Sequence, residues 1–565
     1  MPVMTGRQAF LEILHAAGVE YIIGNPGTTE LPLMDVLVDH PEFKYILTLQ
    51  EGVAMAMADG YAQASQRLSV VNLHVAPGLG NAMGMLYDAT KTAAPLLVTA
   101  GQQDGRFALT EPLLWGDMVR MVEPMTKWAY QIERVADLPH ALRRAIKVAT
   151  TPPTGPVFLG LPMDIMMAEA DLDVSAPSRI APRLRGDLEA MQRAADLLAK
   201  AQHPLILVGD EVAKADALDE LVAVAEALGA PVFAETVPNT TSFPSDHPLY
   251  QGFMARTQQG VRTVLQEADV VFTVGADMFT MSLYTEVDPF PPGLTCVCLH
   301  IDPWEIAKNR PVDVGILGDP KATLAELLPM LRVRLDSARQ QEARQRIETL
   351  RRAKAEALQR LAERAAEEAL ACVSTHGRQP MSPLVMNKAI ADSVPADIVV
   401  VDESITSGAG LREFLPRRHA RDYFGLKGGG IGWGLPATMG AALAFPDRPV
   451  LGIIGDGSAM YSIQGLWTAA RYGLRSIFII CNNSQYLILK RRLHAYNGPA
   501  SKAQTYIGID LTSPAIQFTG LARSLGVHAE RVERPADLQQ ALKEALQRQG
   551  PTLIDVPLES DFPAA

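Results

Sequence analysis

Two stretches of this chain end in residue types that can hold a divalent cation against a phosphate. Leu451-Gly-Ile-Ile-Gly-Asp-Gly-Ser-Ala459 and Ile477-Phe-Ile-Ile-Cys-Asn-Asn-Ser484 are apolar runs that stop abruptly in small or polar residues. Asp456 offers a carboxylate and Asn483 an amide oxygen, hard ligands that with water and diphosphate oxygens suit Mg²⁺. Gly455 and Gly457 let the backbone approach a phosphate closely, and Ser458 can donate to it. Gly-Asp-Gly alone also describes an ordinary turn between a strand and a helix; joined to a spaced Asn-Asn it is far more specific. A second set, Thr28, Thr29, Glu51 and His74, follows apolar runs near the start of the chain. Hydroxyls before a helix are N-cap candidates first and substrate ligands second. A carboxylate there is ordinarily a dipole partner, and a lone histidine is as often structural as chemical.

The elements that must position these residues alternate. Residues 461–472 read as a helix between the two apolar runs, so the unit is strand, helix, strand. In a parallel sheet both strand ends then open on one edge, where ligands of such folds bind. Toward the N-terminus a helix over 5–17 leads into a strand at 21–24 and the turn Asn25-Pro-Gly-Thr-Thr-Glu30. A strand over 45–50 delivers Glu51 to an Ala- and Met-rich helix, and His74 ends the run 68–75. Gly78, Gly80 and Gly84 miss the G-x-G-x-x-G spacing by one residue. Strands over 96–103 and 157–161 complete this set.

A second alternating set has strands at 204–209, 232–234, 270–275 and 295–301 and no titratable cluster. Residues 331–371, rich in Arg, Glu, Ala and Gln without Gly or Pro, read as a long charged helix. A third set has a helix at 383–391, a strand at 397–403, the glycine run Lys427-Gly-Gly-Gly-Ile-Gly-Trp433 and a strand at 551–556. The expected class is α/β, with three doubly wound parallel-sheet domains at 1–175, 185–335 and 376–565 and a helical linker at 336–375.

Composition narrows the function. A chain of 565 residues is long for one core. Net charge is −12 with no basic stripe, which argues against a nucleic-acid partner. The four cysteines show no metal-ligand spacing and are too few for a disulfide scaffold; Cys296 and Cys298 read as core. Residues 1–24 carry Arg7 and Glu12 in an amphipathic pattern, neither a signal peptide nor a membrane span. A reducing cytoplasm is the expected location.

Several blocks, in order, resemble the thiamine-diphosphate-dependent 2-oxo acid decarboxylases, the benzoylformate decarboxylases most of all. They are Gly24-Asn-Pro-Gly-Thr28, Leu49-Gln-Glu51, Ala58-Asp-Gly-Tyr-Ala-Gln-Ala-Ser65, Asn72-Leu-His74, Val98-Thr-Ala-Gly-Gln-Gln103, Gly455-Asp-Gly-Ser-Ala459 and Leu466-Trp-Thr-Ala-Ala470. The resemblance implies thiamine diphosphate held through Mg²⁺ by Asp456, Asn483 and the main-chain oxygen of Gln485. It implies Gly457, Ser458, Tyr461, Ile405 and Thr406 along the phosphates. Gly429 would offer its carbonyl to the aminopyrimidine, and Ile431 would prop the bent cofactor. Glu51 would activate the pyrimidine, while His74 and Thr28 would serve substrate protons and carboxylate. The family pairs the first domain of one chain with the third of another, so a homodimer at minimum and a tetramer usually are implied. The middle domain is a scaffold in some members and an ADP or flavin site in others; scaffold is the expectation here.

Three positions depart from the benzoylformate decarboxylase pattern. Ser282 falls nearest a histidine of that pattern, Gly425 stands at an aromatic position, and another aromatic is replaced within Leu489-Lys-Arg-Arg492. The basic run Lys490-Arg491-Arg492 reads as solvated side chains at a helix end before a site for a second anionic group. The expected reaction is decarboxylation of a small 2-oxo acid. Its rivals are a carboligase resembling acetolactate synthase, an acyl-CoA lyase, and a non-catalytic nucleotide-binding protein.

Overall fold

In the N-terminal part six strands pair in parallel in the spatial order Lys44–Leu47, Tyr21–Gly24, Ser69–Leu73, Leu96–Gln102, Val157–Pro162, Trp128–Gln131. Ser69–Leu73 and Leu96–Gln102 are buried at every residue, as expected of strands covered on both faces. The C-terminal part pairs Val399–Glu403, Val450–Gly455, Ser476–Asn482, Thr552–Pro557 and His528–Arg531, again in parallel. These five repeat the chain-to-space order of five strands of the first sheet, a repetition with no counterpart in the residues themselves. A middle sheet runs Tyr250–Phe253, Val232–Ala234, Pro204–Val208, Val270–Val274, Thr295–His300, Val314–Leu317, all parallel. The molecule is thus α/β, with three doubly wound parallel-sheet domains.

This computed structural model describes residues 3–374, 380–560 and 562. They fall into two compact units, Met1–Ile180 with Ala371–Ala409 and Leu426–Ala565, and Ala181–Leu370 with Gly410–Gly425. The expected boundary between 375 and 376 lies outside the described residues. No helix among those described is long and apolar enough to cross a membrane.

Within the first unit the helix Glu51–Ser65 carries Glu51 at its first position. It is apolar nearly all round, the mark of a helix enclosed by protein. Val53, Met55 and Met57 are at most 1% exposed, each burial worth about 1.5–3 kcal/mol. It lies against the helix Gly434–Ala444 at two facing glycines. A Cβ on Gly60 would sit 2.5 Å from the Ala437 oxygen, and one on Gly440 2.0 Å from the Met57 oxygen. Only glycine permits that approach.

Some elements differ from expectation. The helix expected over 461–472 is split: Asp456–Ala459 begins directly on Asp456, the chain turns through 460–464, and Gly465–Arg471 follows. Single-turn bonds from Tyr461 N–H to Ser458 O and from Ser462 N–H to Ala459 O set that turn. The charged helix is Ser337–Ser374, while residues 331–334 end a separate helix, Pro320–Arg334. Cys296 and Cys298 are buried on the strand Thr295–His300, as expected.

Candidate active site

Asp456 stands at the end of the strand Val450–Gly455, beside the end of Ser476–Asn482. Its Oδ1 accepts the Gly457 N–H at 2.7 Å and its Oδ2 the Ser484 N–H at 2.6 Å. Burial pushes this carboxyl up to about 6, against the pull of the Gly457, Ser484 and Gln485 amides. Asn483 Oδ1 accepts the Gln485 N–H at 3.2 Å. Between them Ser484 is left-handed, φ 56°, which turns the chain so that 483 and 485 flank the carboxylate. A cavity of about 300 Å³ opens here, lined by Ile405, Thr406, Ile431, Asp456, Gly457, Ser458, Tyr461, Asn483 and Gln485. Nine expected site residues therefore share one cavity.

The cavity suits a diphosphate held through a cation. A carboxylate has about four acceptor sites, so the Gly457, Ser484 and Gln485 amides leave Asp456 acceptor capacity for a metal. Among the described residues no cluster of three His, Cys, Asp or Glu side chains is placed to hold a metal, so the remaining ligands would be backbone, phosphate and water. Ile405 is left-handed, φ 54°, and half exposed; a β-branched residue there is strained, and such strain gathers at binding sites. Gly429 is left-handed as well, φ 84°, with open space where a Cβ would be.

Glu51, His74 and Thr28 do not line this cavity; they gather at the matching edge of the first sheet. Glu51 opens its helix, 8% exposed, and its Oε2 accepts Asn81 Nδ2–H at 3.0 Å. Gly78 makes room for it: a Cβ there would lie 3.0 Å from Glu51 Oε1. His74 follows the strand Ser69–Leu73 and precedes the helix Val75–Lys91, and its ring lies where a Cβ on Gly27 would be, 2.1 Å from Nδ1. The next residue, Val75, is left-handed at φ 42° and fully buried, so a strained link aims the ring.

A residue outside the expected set holds that ring. Glu30 Oε2 lies 2.8 Å from His74 Nδ1 and accepts the Gly27 N–H at 2.8 Å, while Oε1 accepts the Gly101 N–H and the Thr29 hydroxyl, each at 2.8 Å. The Thr29 hydroxyl is also 3.2 Å from His74 Nδ1. Glu30 is 2% exposed, and a buried carboxylate so fully bonded is a fixed support. Its only sequence signal was its place at the tail of the turn carrying Thr28 and Thr29. Neither threonine caps a helix as expected. Gly27 holds the cap position, Thr29 turns inward, and Thr28 is exposed.

The helix Leu487–Ala495 borders the cavity through Leu487 and Leu489. Lys490 is not a solvated side chain: Nζ donates to Gln485 Oε1 at 2.9 Å and lies 3.7 Å from Asp510. Ser282 and Gly425 belong to the other unit, where Ser282 is exposed and the Gly425 N–H donates to Asn239 O at 2.7 Å. In that unit Asp210, at the sheet edge, accepts the Asn239 and Thr240 amides at 3.0 and 2.9 Å. That carboxylate is thus bonded by the loop of its own domain.

Two sister sheets thus carry the expected site residues, one beside a cavity at Asp456 and Asn483, the other with Glu51 at its edge. Family models agree along the chain: the thiamine pyrophosphate enzyme N-terminal TPP binding domain matches residues 4–114, the central domain 191–327 and the C-terminal TPP binding domain 407–556. Benzoylformate decarboxylase of Pseudomonas aeruginosa is 34% identical, covering 99% of this chain and 100% of that protein. Acetolactate synthase isozyme 1 large subunit of Escherichia coli is 27% identical, over 99% of this chain and 94% of that protein. The solved structure of a thiamine diphosphate-dependent 4-hydroxybenzoylformate decarboxylase from Rhodococcus jostii superposes with a TM-score of 0.85 at 29% identity, over 99% of this chain and 100% of that one. This chain belongs to the thiamine-diphosphate-dependent 2-oxo acid decarboxylase family.

Proposed function

We propose that the protein is a lyase that releases CO₂ from a small 2-oxo acid, using thiamine diphosphate and Mg²⁺ as a homodimer or tetramer. The observation that carries this is the cavity on Asp456 and Asn483, matched by a separately mounted Glu51. Bound thiamine diphosphate supplies the electron sink that decarboxylation needs. Asp456, Asn483 and the Gln485 carbonyl hold Mg²⁺, while Gly457, Ser458, Tyr461, Ile405 and Thr406 line the diphosphate. Gly429 presents its carbonyl to the pyrimidine and Ile431 props the ring system. Glu51, held by Asn81, moves a proton at the pyrimidine edge. His74, held by Glu30, moves protons on the substrate, and the exposed Thr28 hydroxyl receives its carboxylate. Glu51 lies off the cavity of its own chain, and Ile405, Tyr461 and Leu489 are 50%, 59% and 48% exposed. Both facts support a second copy whose first domain covers the cavity.

Glu30→Gln should lower kcat by about tenfold or more, as part of the 10²–10⁴-fold that acid–base assistance is worth, and leave thiamine diphosphate affinity unchanged. Kinetics alongside a cofactor titration check this; an unchanged kcat removes Glu30 from the support of His74.

The reaction is tested by CO₂ release over aliphatic, aromatic and dicarboxylic 2-oxo acids, with and without an added aldehyde. Benzoylformate should be a poor substrate. Gly425 and a position within Leu489-Lys-Arg-Arg492 stand where the family pattern has aromatics, and a ring pair is worth about 0.5–1.5 kcal/mol beyond area burial. Two lost pairs cost on the order of ten- to a hundredfold in specificity, before the missing histidine near Ser282 is counted. Benzoylformate emerging as the best substrate overturns that expectation. A product formed only with the aldehyde favours carboligation, the second reading, which the acetolactate synthase relative supports.

A further inference from the structure

We propose that Asp88, with Asp59, is a positioning residue: from the first domain it clamps the segment 428–434 of its own chain and so presets Gly429 and Ile431. The inference rests on the proposed roles of Gly429 and Ile431 at the cofactor, and it adds residues that touch neither substrate nor cofactor.

The segment is held by three buried carboxyl groups. Gly430 N–H donates to Asp88 Oδ1 at 3.0 Å, and the Trp433 indole N–H donates to Asp59 Oδ2 at 2.6 Å. Gly432 and Gly434 N–H donate to the two oxygens of Glu403 at 2.7 and 2.5 Å. Asp59 sits on Glu51–Ser65 and Asp88 on Val75–Lys91, the two helices that hold Glu51 through its own backbone and through Asn81. Thr92 Oγ1 donates to the other Asp59 oxygen at 2.9 Å. Asp59 and Asp88 are 0% and 1% exposed.

Asp88 is the less expected of the pair. Its Oδ2 is buried and has no hydrogen-bond partner, a state that burial penalises. The backbone wraps round this carboxyl: a Cβ on Gly428 would lie 2.0 Å from Oδ1, and one on Gly430 2.6 Å from Oδ2. The residue between them, Gly429, is left-handed with open space beside it. Two glycines pressed on the carboxyl thus leave the third turned away from it. An apolar side chain could fill the same space without an orphaned oxygen, but it could not bond the Gly430 amide.

The groups facing Asp88 are acidic, Asp59 from its helix and Glu403 from its strand. Burial pushes the Asp88 carboxyl up to about 8, the Gly430 amide lowers it, and the Asp59 and Glu403 charges raise it further. The folded protein therefore keeps this group protonated where the unfolded chain ionises it. Asp88 costs the native state stability as pH rises from about 4 to about 8, and an asparagine does not.

The test uses the full-length protein, Asp88→Ala and Asp88→Asn. In the apo proteins, hydrogen exchange over 428–434 should quicken tenfold or more in Asp88→Ala and stay at the parent rate in Asp88→Asn, whose amide oxygen still accepts from Gly430. With cofactor, Asp88→Ala should lose tenfold or more in kcat while thiamine diphosphate affinity moves less than threefold, and Asp88→Asn should recover kcat. The melting temperature of apo Asp88→Asn should gain on the parent as pH rises from 4 to 8. Parent-like exchange in Asp88→Ala overturns the clamp. A loosened segment with parent kcat overturns the positioning role. Should only Asp88→Asn fold, a melting difference that does not change with pH overturns the buried, protonated clamp. A parent that takes up no thiamine diphosphate sinks the reading of Gly429 and Ile431 and the positioning role with it; the exchange rates then show that the clamp itself was not at fault.

Discussion

Asp456→Ala should purify without thiamine diphosphate or Mg²⁺ and fail to take them up at concentrations that saturate the parent. The variant removes the carboxylate of the proposed cation site, where Asn483 and the Gln485 carbonyl would supply only neutral oxygens. A divalent ion on neutral ligands is under-neutralised. The loss should exceed the about 10–100-fold that removing an outer-shell partner of a metal costs. The apo fold should survive, because the carboxyl is buried at a cost that its amide bonds only partly offset. The clearest readout is melting temperature against cofactor concentration. Ligand at a hundred times its Kd stabilises by about 2.7 kcal/mol, a shift the variant should lack. A variant that gains as much as the parent shows that the cation site lies elsewhere.

Glu51→Gln should keep the fold and bind cofactor, yet slow exchange of the cofactor's C2 proton by about 10²-fold or more, the scale of general acid–base assistance. The substitution preserves shape: a glutamine oxygen can still accept from Asn81 Nδ2–H, and the space over Gly78 stays filled. What it removes is a proton-accepting charge. Because the helix behind it is buried nearly all round, the side chain should not move aside, so lost activity reports chemistry rather than displacement. Quenched-flow exchange of the C2 proton for deuterium measures this. Exchange at the parent rate takes Glu51 out of the mechanism.

Glu51 and Asp456 differ from Glu30 and Asp88 in how they could be found. Asp456, Ser458 and Asn483 lie on one strand–helix–strand unit, so an apolar run followed by Gly-Asp-Gly, and another followed by Asn-Asn, already set them at one sheet edge. The start of a small-residue helix at Glu51 was legible in the same way, since periodicity and a polar stop are local signals, whereas the run read over 68–75 ends as a strand at Leu73, one residue before His74. The helix at 383–391 forms as expected, with Pro383 at its first position and Ser382 as its cap. Sequence by itself thus determined the α/β class and placed Asp456, Gly457, Ser458 and Asn483 at the cavity, while the family resemblance supplied Ile405, Thr406, Ile431, Tyr461 and Gln485.

Tertiary structure alone decided the supports. Glu30 matters because its oxygens meet His74 and the Gly101 amide, residues distant in sequence that the parallel sheet brings together. Asp88 and Asp59 matter because helices of the first domain pack against a loop of the third, and nothing local marks an aspartate inside an Ala- and Met-rich helix as a clamp. The choice between Thr28 and Thr29, and the left-handed turns at Val75, Ile405 and Ser484, were likewise settled by surroundings that overrule local preference. Local residue types name the groups expected to meet a ligand at a strand end; which buried carboxyl groups hold those groups in place depends on contacts between distant segments, and these form only when the sheets and helices pack.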